Sequence, residues 1–271
     1  MHLDEGRKAV EAGDWVAAGH AFVRAAMEGS AEGAELATQV TVGLVPLADA
    51  GSAEAAALLA GIYLEYFDES ALSDAVRYAR AAAEAGHPAG QRTYGYMLLG
   101  GIGVEEDDGL ATELFRAAAQ AGDAYACLNL AQLVDDPDES MRLLETATRE
   151  GVDIAGALLA DRLSELDRDE EALTWYLWAA ERGHTGAMQA AACWYRDGFG
   201  TEPDPVQAVR WFFAMLAHGD GDGVHEAIEM AKSGAVDAEQ VREAGRLAGD
   251  AEAADSLIAT VWGGSGGAYD G

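Results

Sequence analysis

One eleven-residue pattern constrains this chain more than any other feature. A small residue is followed by a bulky pair, then Ala-Ala or a close variant, two more residues and a glycine. VRYARAAAEAG ends at Gly86, TELFRAAAQAG at Gly122, LTWYLWAAERG at Gly183 and VRWFFAMLAHG at Gly219, with a degenerate copy, MRLLETATREG, ending at Gly151. Successive glycines are 36, 29, 32 and 36 residues apart. Each step has room for two short helices and two turns, so the chain reads as repeated helical hairpins stacked in line. An alanine stands eleven residues before four of these glycines, at Ala75, Ala111, Ala172 and Ala208. Small positions let helices approach closely while aromatics such as Trp175-Tyr176 and Trp211-Phe212 fill the space beside them. The glycines suit the left-handed residue that ends a helix.

Start signals agree with these stops. Asp136-Pro137-Asp138-Glu139 and Asp204-Pro205-Val206-Gln207 each offer a cap followed by a proline at the first helical position, and Asp237-Ala238-Glu239-Gln240 has capping-box form. The pattern predicts helices near residues 54–67, 72–85, 88–99, 107–121, 124–134, 137–150, 154–165, 168–182, 186–197, 204–218, 222–232 and 238–248, with a short pair before Gly29. Between Ser30 and Ala50 there is too little chain for a full pair; Gly43 and Pro46 interrupt it, and one long, bent helix is expected. The expected organisation is an N-terminal helical segment over 1–52, the repeat array over 53–250 with a closing helix, and a last helix with a Gly-rich flexible tail over 251–271.

Composition narrows the function. Seventeen Lys and Arg face 48 Asp and Glu, a formal charge of −31, which repels a phosphate backbone and argues against a nucleic-acid partner. The apolar stretches VTVGLVPLA and YMLLGGIGV fall short of the ~20 residues that span a bilayer, and no secretory leader is legible, so no membrane association and a cytoplasmic location are expected. Cys127 and Cys193 fall on helices two repeats apart and are expected to remain two buried thiols.

Chemistry is sparse. There is no nucleophile elbow and no Cys-His signature. His87 and His184 directly follow helix-ending glycines, where they are expected to satisfy the preceding helix's carbonyls. The runs Glu105–Asp108 and Asp135–Glu139 lack calcium-loop spacing, and His218, Asp220, Asp222, His225 and Glu226 lack zinc spacing, so no metal is expected. Gly101-Ile102-Gly103 follows a helix rather than a strand and has no nearby base, so no nucleotide and no other cofactor is expected.

GGIGVEEDDGLATELFRAAAQAGDAYA, from Gly100 to Ala126, resembles the Sel-1-like repeat, a relative of the tetratricopeptide repeat, in its Gly-x-Gly-Val turn, acid, alanine, aromatic, Ala-Ala-x-x-Gly and following alanine. RDGFGTEPDPVQAVRWFFAMLAHG from Arg196 repeats the match with Thr201 in the valine place, and three further units keep the second-helix half. The resemblance covers roughly residues 53–232, and AGDWVAAGHAF from Ala12 looks more like a plain tetratricopeptide helix. It implies an all-α, right-handed superhelix whose first helices line a concave groove that holds a protein or peptide. Some cysteine-rich members are linked to penicillin binding or β-lactam hydrolysis, but those carry a disulfide in each repeat.

The expected function is therefore a non-catalytic adaptor, an elongated monomer that binds a protein or peptide. Two alternatives remain, a β-lactamase-like hydrolase and an acidic mimic of nucleic acid that occupies a basic protein. The candidate partner-binding residues are Arg92, Tyr96, Asn129, Gln132, Gln189 and Trp194, all placed at or near one face of the first helices. Asn129 holds the place where tetratricopeptide repeats often carry a ligand-binding asparagine, and the equivalent positions are Leu58, Thr93 and Ala190. Arg92 is expected to offer a cation to a ligand carboxylate, and Trp194 an apolar anchor.

Overall fold

A glycine and a cap residue, adjacent in sequence, form the joint from which most of this fold is built. At the end of the helix Leu72–Glu84, the Gly86 amide donates to the Ala83 carbonyl and the His87 amide to the Ala82 carbonyl, each at 2.9 Å, with Gly86 at φ 75°. This pair of hydrogen bonds closes the helix end, and only glycine enters the left-handed region without strain. The residue after the glycine then opens the next helix. Asp14, Ser30, Ser52, Asp123, His184 and Asp250 each follow such a glycine and accept from the amide three residues on. Two residues thus end one helix and cap the next.

The computed structural model describes residues 1–263, and these are helical throughout, with no strand among them. The expected tail from Gly264 lies outside the described residues. The chain divides into two compact units, residues 1–136 and 137 onward. In the first unit, α1 (His2–Glu11) pairs with α2 (Trp15–Met27), followed by α3 (Ala31–Gln39) and α4 (Thr41–Asp49). Then α5 (Ala53–Tyr66) pairs with α6 (Leu72–Glu84), α7 (Pro88–Leu99) with α8 (Asp108–Gln120), and α9 (Ala124–Ala131) follows. The second unit runs α10 (Pro137–Arg149), α11 (Asp153–Glu165), α12 (Asp169–Ala180), α13 (Thr185–Asp197), α14 (Pro205–Ala217), α15 (Asp222–Lys232), α16 (Ala238–Ala248) and α17 (Ala251–Trp262). Its helices pack as α11 on α12, α12 on α13 and α13 on α14, and α16 closes on both α14 and α17.

The repeat's alanines make the close contacts. Ala75, Ala111, Ala172 and Ala208 are fully buried, and Phe115, Tyr176, Trp211 and Phe212 fill the space around them. The Gly-x-Gly turns tie neighbouring hairpins together. A Cβ at Gly200, whose φ is 65°, would lie 2.4 Å from the Asp169 carbonyl oxygen, so this turn rests directly on the start of α12.

One expectation is corrected and one refined. Residues 30–50 form two nine-residue helices joined at Val40, not one bent helix. The cause is tertiary: Trp15 lies against Gly43, where a Cβ would come within 1.9 Å of its ring, and this contact fixes α4 against α2 independently of α3. His184 satisfies the preceding helix through its backbone amide, which donates to the Ala179 carbonyl at 3.2 Å, and not through its ring. Its Nδ1 instead accepts from the Ala187 amide at 3.0 Å, capping α13. His87 likewise stands at the N-terminus of α7, with Nδ1 buried and unpartnered.

Candidate functional site

The first helices of the first unit leave a groove between them. Helix α5 packs on both α2 and α7, and the groove runs over their common face to α9. Its volume is about 570 Å³. Helix α2 contributes His20, Val23 and Met27; α5 contributes Leu58, Gly61 and Tyr66 with Glu54 and Glu65; α7 brings Arg92, Thr93 and Tyr96; α9 brings Tyr125 and Asn129. The surface is mostly apolar and aromatic, and Met27, Tyr96 and Tyr125 expose large side chains to solvent there. Aromatic and methionine side chains are enriched at protein interfaces relative to the rest of a protein's surface.

The groove's polar groups fall into two sets. Some are already engaged: Arg92 Nε donates to Asp123 Oδ2 at 3.1 Å, its guanidinium faces the Tyr125 ring at 5.6 Å, and His20 Nε2 lies 3.1 Å from Glu54 Oε1. Asp123 holds Arg92 with one oxygen and caps α9 with the other, accepting from the Ala126 amide at 2.9 Å. Others make no hydrogen bond among the described residues: the Asn129 amide, the Tyr66 and Tyr96 hydroxyls and the Glu65 carboxylate belong to residues that line this space. Burial, and then the neighbouring Glu65, push the Tyr66 phenol above its ordinary range, so it stays a neutral donor.

Of the six candidate residues, the structure brings Arg92, Tyr96 and Asn129 into this one groove, together with Leu58 and Thr93 at the positions equivalent to Asn129. Gln132 is exposed at the end of α9, donates to the Leu128 carbonyl at 3.4 Å, and does not line it. Gln189 and Trp194 belong to α13 in the second unit. Gln189 is exposed there. Trp194 packs edge-on against the buried Tyr176 at 5.1 Å and tilts over Phe199 at 5.9 Å, so much of its surface is committed to the fold. Tyr176 in turn donates to Asp161 at 2.6 Å, and burial with that bond raises its pKa far above the usual phenol value. Arg92, expected to offer a cation to a ligand carboxylate, lies in this lining with its Nε–H already donated to Asp123.

Sequence reasoning missed Gly61. It sits inside α5, yet a Cβ there would meet nothing within 4 Å, so it leaves the groove floor open rather than admitting a neighbouring helix. Its only sequence signal is a glycine in the middle of an otherwise strong helix-forming run, AEAAALLAGIYLEY. In the second unit, Trp175 and Trp178 on α12 line a separate cavity of about 530 Å³ with Thr148, Arg149 and Arg182. Arg182 lies 3.7 Å above the Trp178 ring. Both cysteines are thiols, Cys127 buried and Cys193 half-buried, and burial raises the Cys193 pKa. Among the described residues no cluster of His, Cys, Asp and Glu could hold a metal ion, and no helix is long and apolar enough to cross a membrane.

Comparison with known proteins places this geometry. The Sel1 repeat family matches residues 53–87, 88–123, 164–184 and 186–224. No curated protein matches in sequence. Among solved structures, the chain is similar to c5321, a protective antigen present in uropathogenic Escherichia coli strains that displays an SLR fold. The TM-score is 0.68 at 22% identity over 94% of this chain, which spans only 60% of that protein's length. It is also similar to a Sel1 repeat protein from Oxalobacter formigenes, with a TM-score of 0.60 at 16% identity over 96% of both chains. At these identities the likeness concerns the fold. The glycine-capped hairpins and the four matched repeats make residues 53–123, 164–184 and 186–224 Sel1 repeats, and the neighbours share the chain's fold, an all-α solenoid of helical hairpins.

Proposed function

We propose that the chain is a non-catalytic interaction module that holds an extended segment of a protein partner in the groove over α2, α5, α7 and α9. Sel1-repeat solenoids are generally interaction scaffolds, and the groove chemistry supports that role for this face. The observation that carries the reading is the pairing of exposed apolar side chains, Met27, Tyr96 and Tyr125, with polar groups that have no partner among the described residues, Asn129 above all. A side-chain amide can donate to a peptide carbonyl and accept from a peptide N–H together, whatever the ligand's sequence. Apolar recesses beside it take alternate side chains. Within this reading Arg92 is a positioning residue for Tyr125 and the start of α9, while Tyr96 and Asn129 touch the ligand. Gln132, Gln189 and Trp194 lie outside this groove. The module needs no cofactor and acts as a monomer in the cytoplasm.

The test is selection of 12-residue peptides from a random library on the purified chain, followed by rebinding to Gly61→Trp, which fills the open floor without displacing a packed neighbour. Clones that bind the native chain and lose the variant support the reading. Clones that bind both equally place recognition elsewhere.

A further inference from the structure

The groove's electrostatics point away from the acidic ligand that a lone arginine suggests. Resting on the reading that this groove holds a peptide, we propose that the segment it selects is basic, with lysine or arginine side chains interleaved among aliphatic and aromatic ones.

The one guanidinium in the lining, Arg92, has its Nε–H bound to Asp123 and its charge balanced there, so a ligand carboxylate would compete with an existing pair. Carboxylates are less committed. Among the described residues Glu65 makes no ion pair, and Glu54 faces only His20, which offers a full countercharge only when its ring is protonated. Tyr66 and Tyr96 lie in the same lining and offer ring faces and hydroxyl acceptors to an ammonium or guanidinium group. The long-range field has the same sign: residues 1–136 carry 22 acidic against 7 basic side chains, a net charge of −15. Such a field speeds the approach of a cationic segment and opposes an anionic one. The apolar floor formed by Leu58, Val23 and Met27 then takes the intervening aliphatic or aromatic side chains, which separates this groove from a surface that merely attracts counterions.

The experiment uses the full chain and two fluorescein-labelled 12-residue peptides, one alternating lysine with leucine and tyrosine, the other with glutamate replacing each lysine. Binding is followed by fluorescence anisotropy. The lysine peptide binds more than about tenfold tighter than its counterpart. Glu54→Gln with Glu65→Gln weakens it by about fivefold, two partly exposed charge contacts being worth that much together. Glu84→Gln with Glu113→Gln removes the same charge from α6 and α8 outside the groove, and changes affinity by less than about twofold. Gly61→Trp abolishes binding; if that variant fails to fold, Tyr96→Ala with Asn129→Ala takes its place.

Equal losses from the two charge-removing pairs would mean diffuse attraction and overturn the proposal. A glutamate peptide that binds as tightly or more tightly, and is lost in Gly61→Trp, would overturn the basic preference while leaving the groove reading intact. Binding of either peptide that ignores every groove variant would remove both.

Discussion

Replacing Gly61 by alanine should stabilise this protein, whereas the same change at Gly90 should leave its stability unchanged or lower it. Both glycines lie within helices, α5 and α7. At Gly90 the added carbon would sit 2.3 Å from the Ala82 Cβ and 2.9 Å from the Ala82 carbonyl carbon, an overlap that pushes α6 and α7 apart. At Gly61 it meets nothing within 4 Å. Alanine is worth about 0.8–1 kcal/mol over glycine in a helix interior, and no steric term opposes that gain at Gly61. With an unfolding entropy of roughly 2.1 cal/mol/K per residue, the change raises Tm by about 3 °C if the first unit melts alone and by about 2 °C if the whole chain melts together. Overpacking at Gly90 costs about 1–3 kcal/mol, which cancels or outweighs the helix gain and leaves a contact strained against backbone. Thermal melts followed by far-ultraviolet circular dichroism and calorimetry measure both changes. A lower Tm for Gly61→Ala would show that the groove floor is packed rather than open, and the account of this glycine would be wrong.

Asp167, at φ 56°, holds the left-handed place that glycines hold at most other joints, so Asp167→Gly should stabilise the α11–α12 turn by about 1 kcal/mol in denaturant titrations. Asp123→Ala removes both the α9 cap and the Arg92 pair and should cost about 1–2 kcal/mol. Asp123→Asn keeps an oxygen for the cap and should cost about half as much, so equal costs would mean that the cap contributes little. Trp194→Ala strips an aromatic face from Tyr176 and should lose about 2 kcal/mol, discounted from the fully buried value because the indole is half-buried. Tyr176 has a pKa raised by burial and its bond to Asp161, so its contribution to stability is intact below the ordinary phenol pKa and is lost as pH rises through the higher folded value. In an ultraviolet titration of tyrosinate, Tyr176→Phe should delete the last-ionising component, and an unchanged profile would contradict the assignment.

The helical joints were legible because each is local. Gly86, Gly122 and Gly183 end helices by bonds within six residues, and the next residue begins the following element, so the repeat could be phased from a single dipeptide. Residues 30–50 resisted the same reading because Val40 ends one helix and starts another under a constraint from Trp15, which is remote in sequence. The groove was half legible. Helical spacing brought Arg92, Tyr96 and Asn129 to one face, but Arg92 is neutralised by a residue 31 positions away, and the role of Trp194 depends on a contact with Tyr176 on the preceding helix. Gly61 could not be assigned from sequence, since a helix-interior glycine that admits a neighbour and one that leaves a space look alike until the neighbours are placed.

The most direct test of the central claim is a magnetic-resonance titration of the chain, labelled at its methionine methyls and tyrosine rings, with the lysine-containing peptide. With 7 methionines and 9 tyrosines the probes cover both units. The account predicts that Met27, Tyr66, Tyr96 and Tyr125 shift together with one affinity, while Met141, Tyr176, Met188 and Met215 stay in place. Shifts concentrated on the second group, or spread evenly over both, would contradict a groove built on α2, α5, α7 and α9.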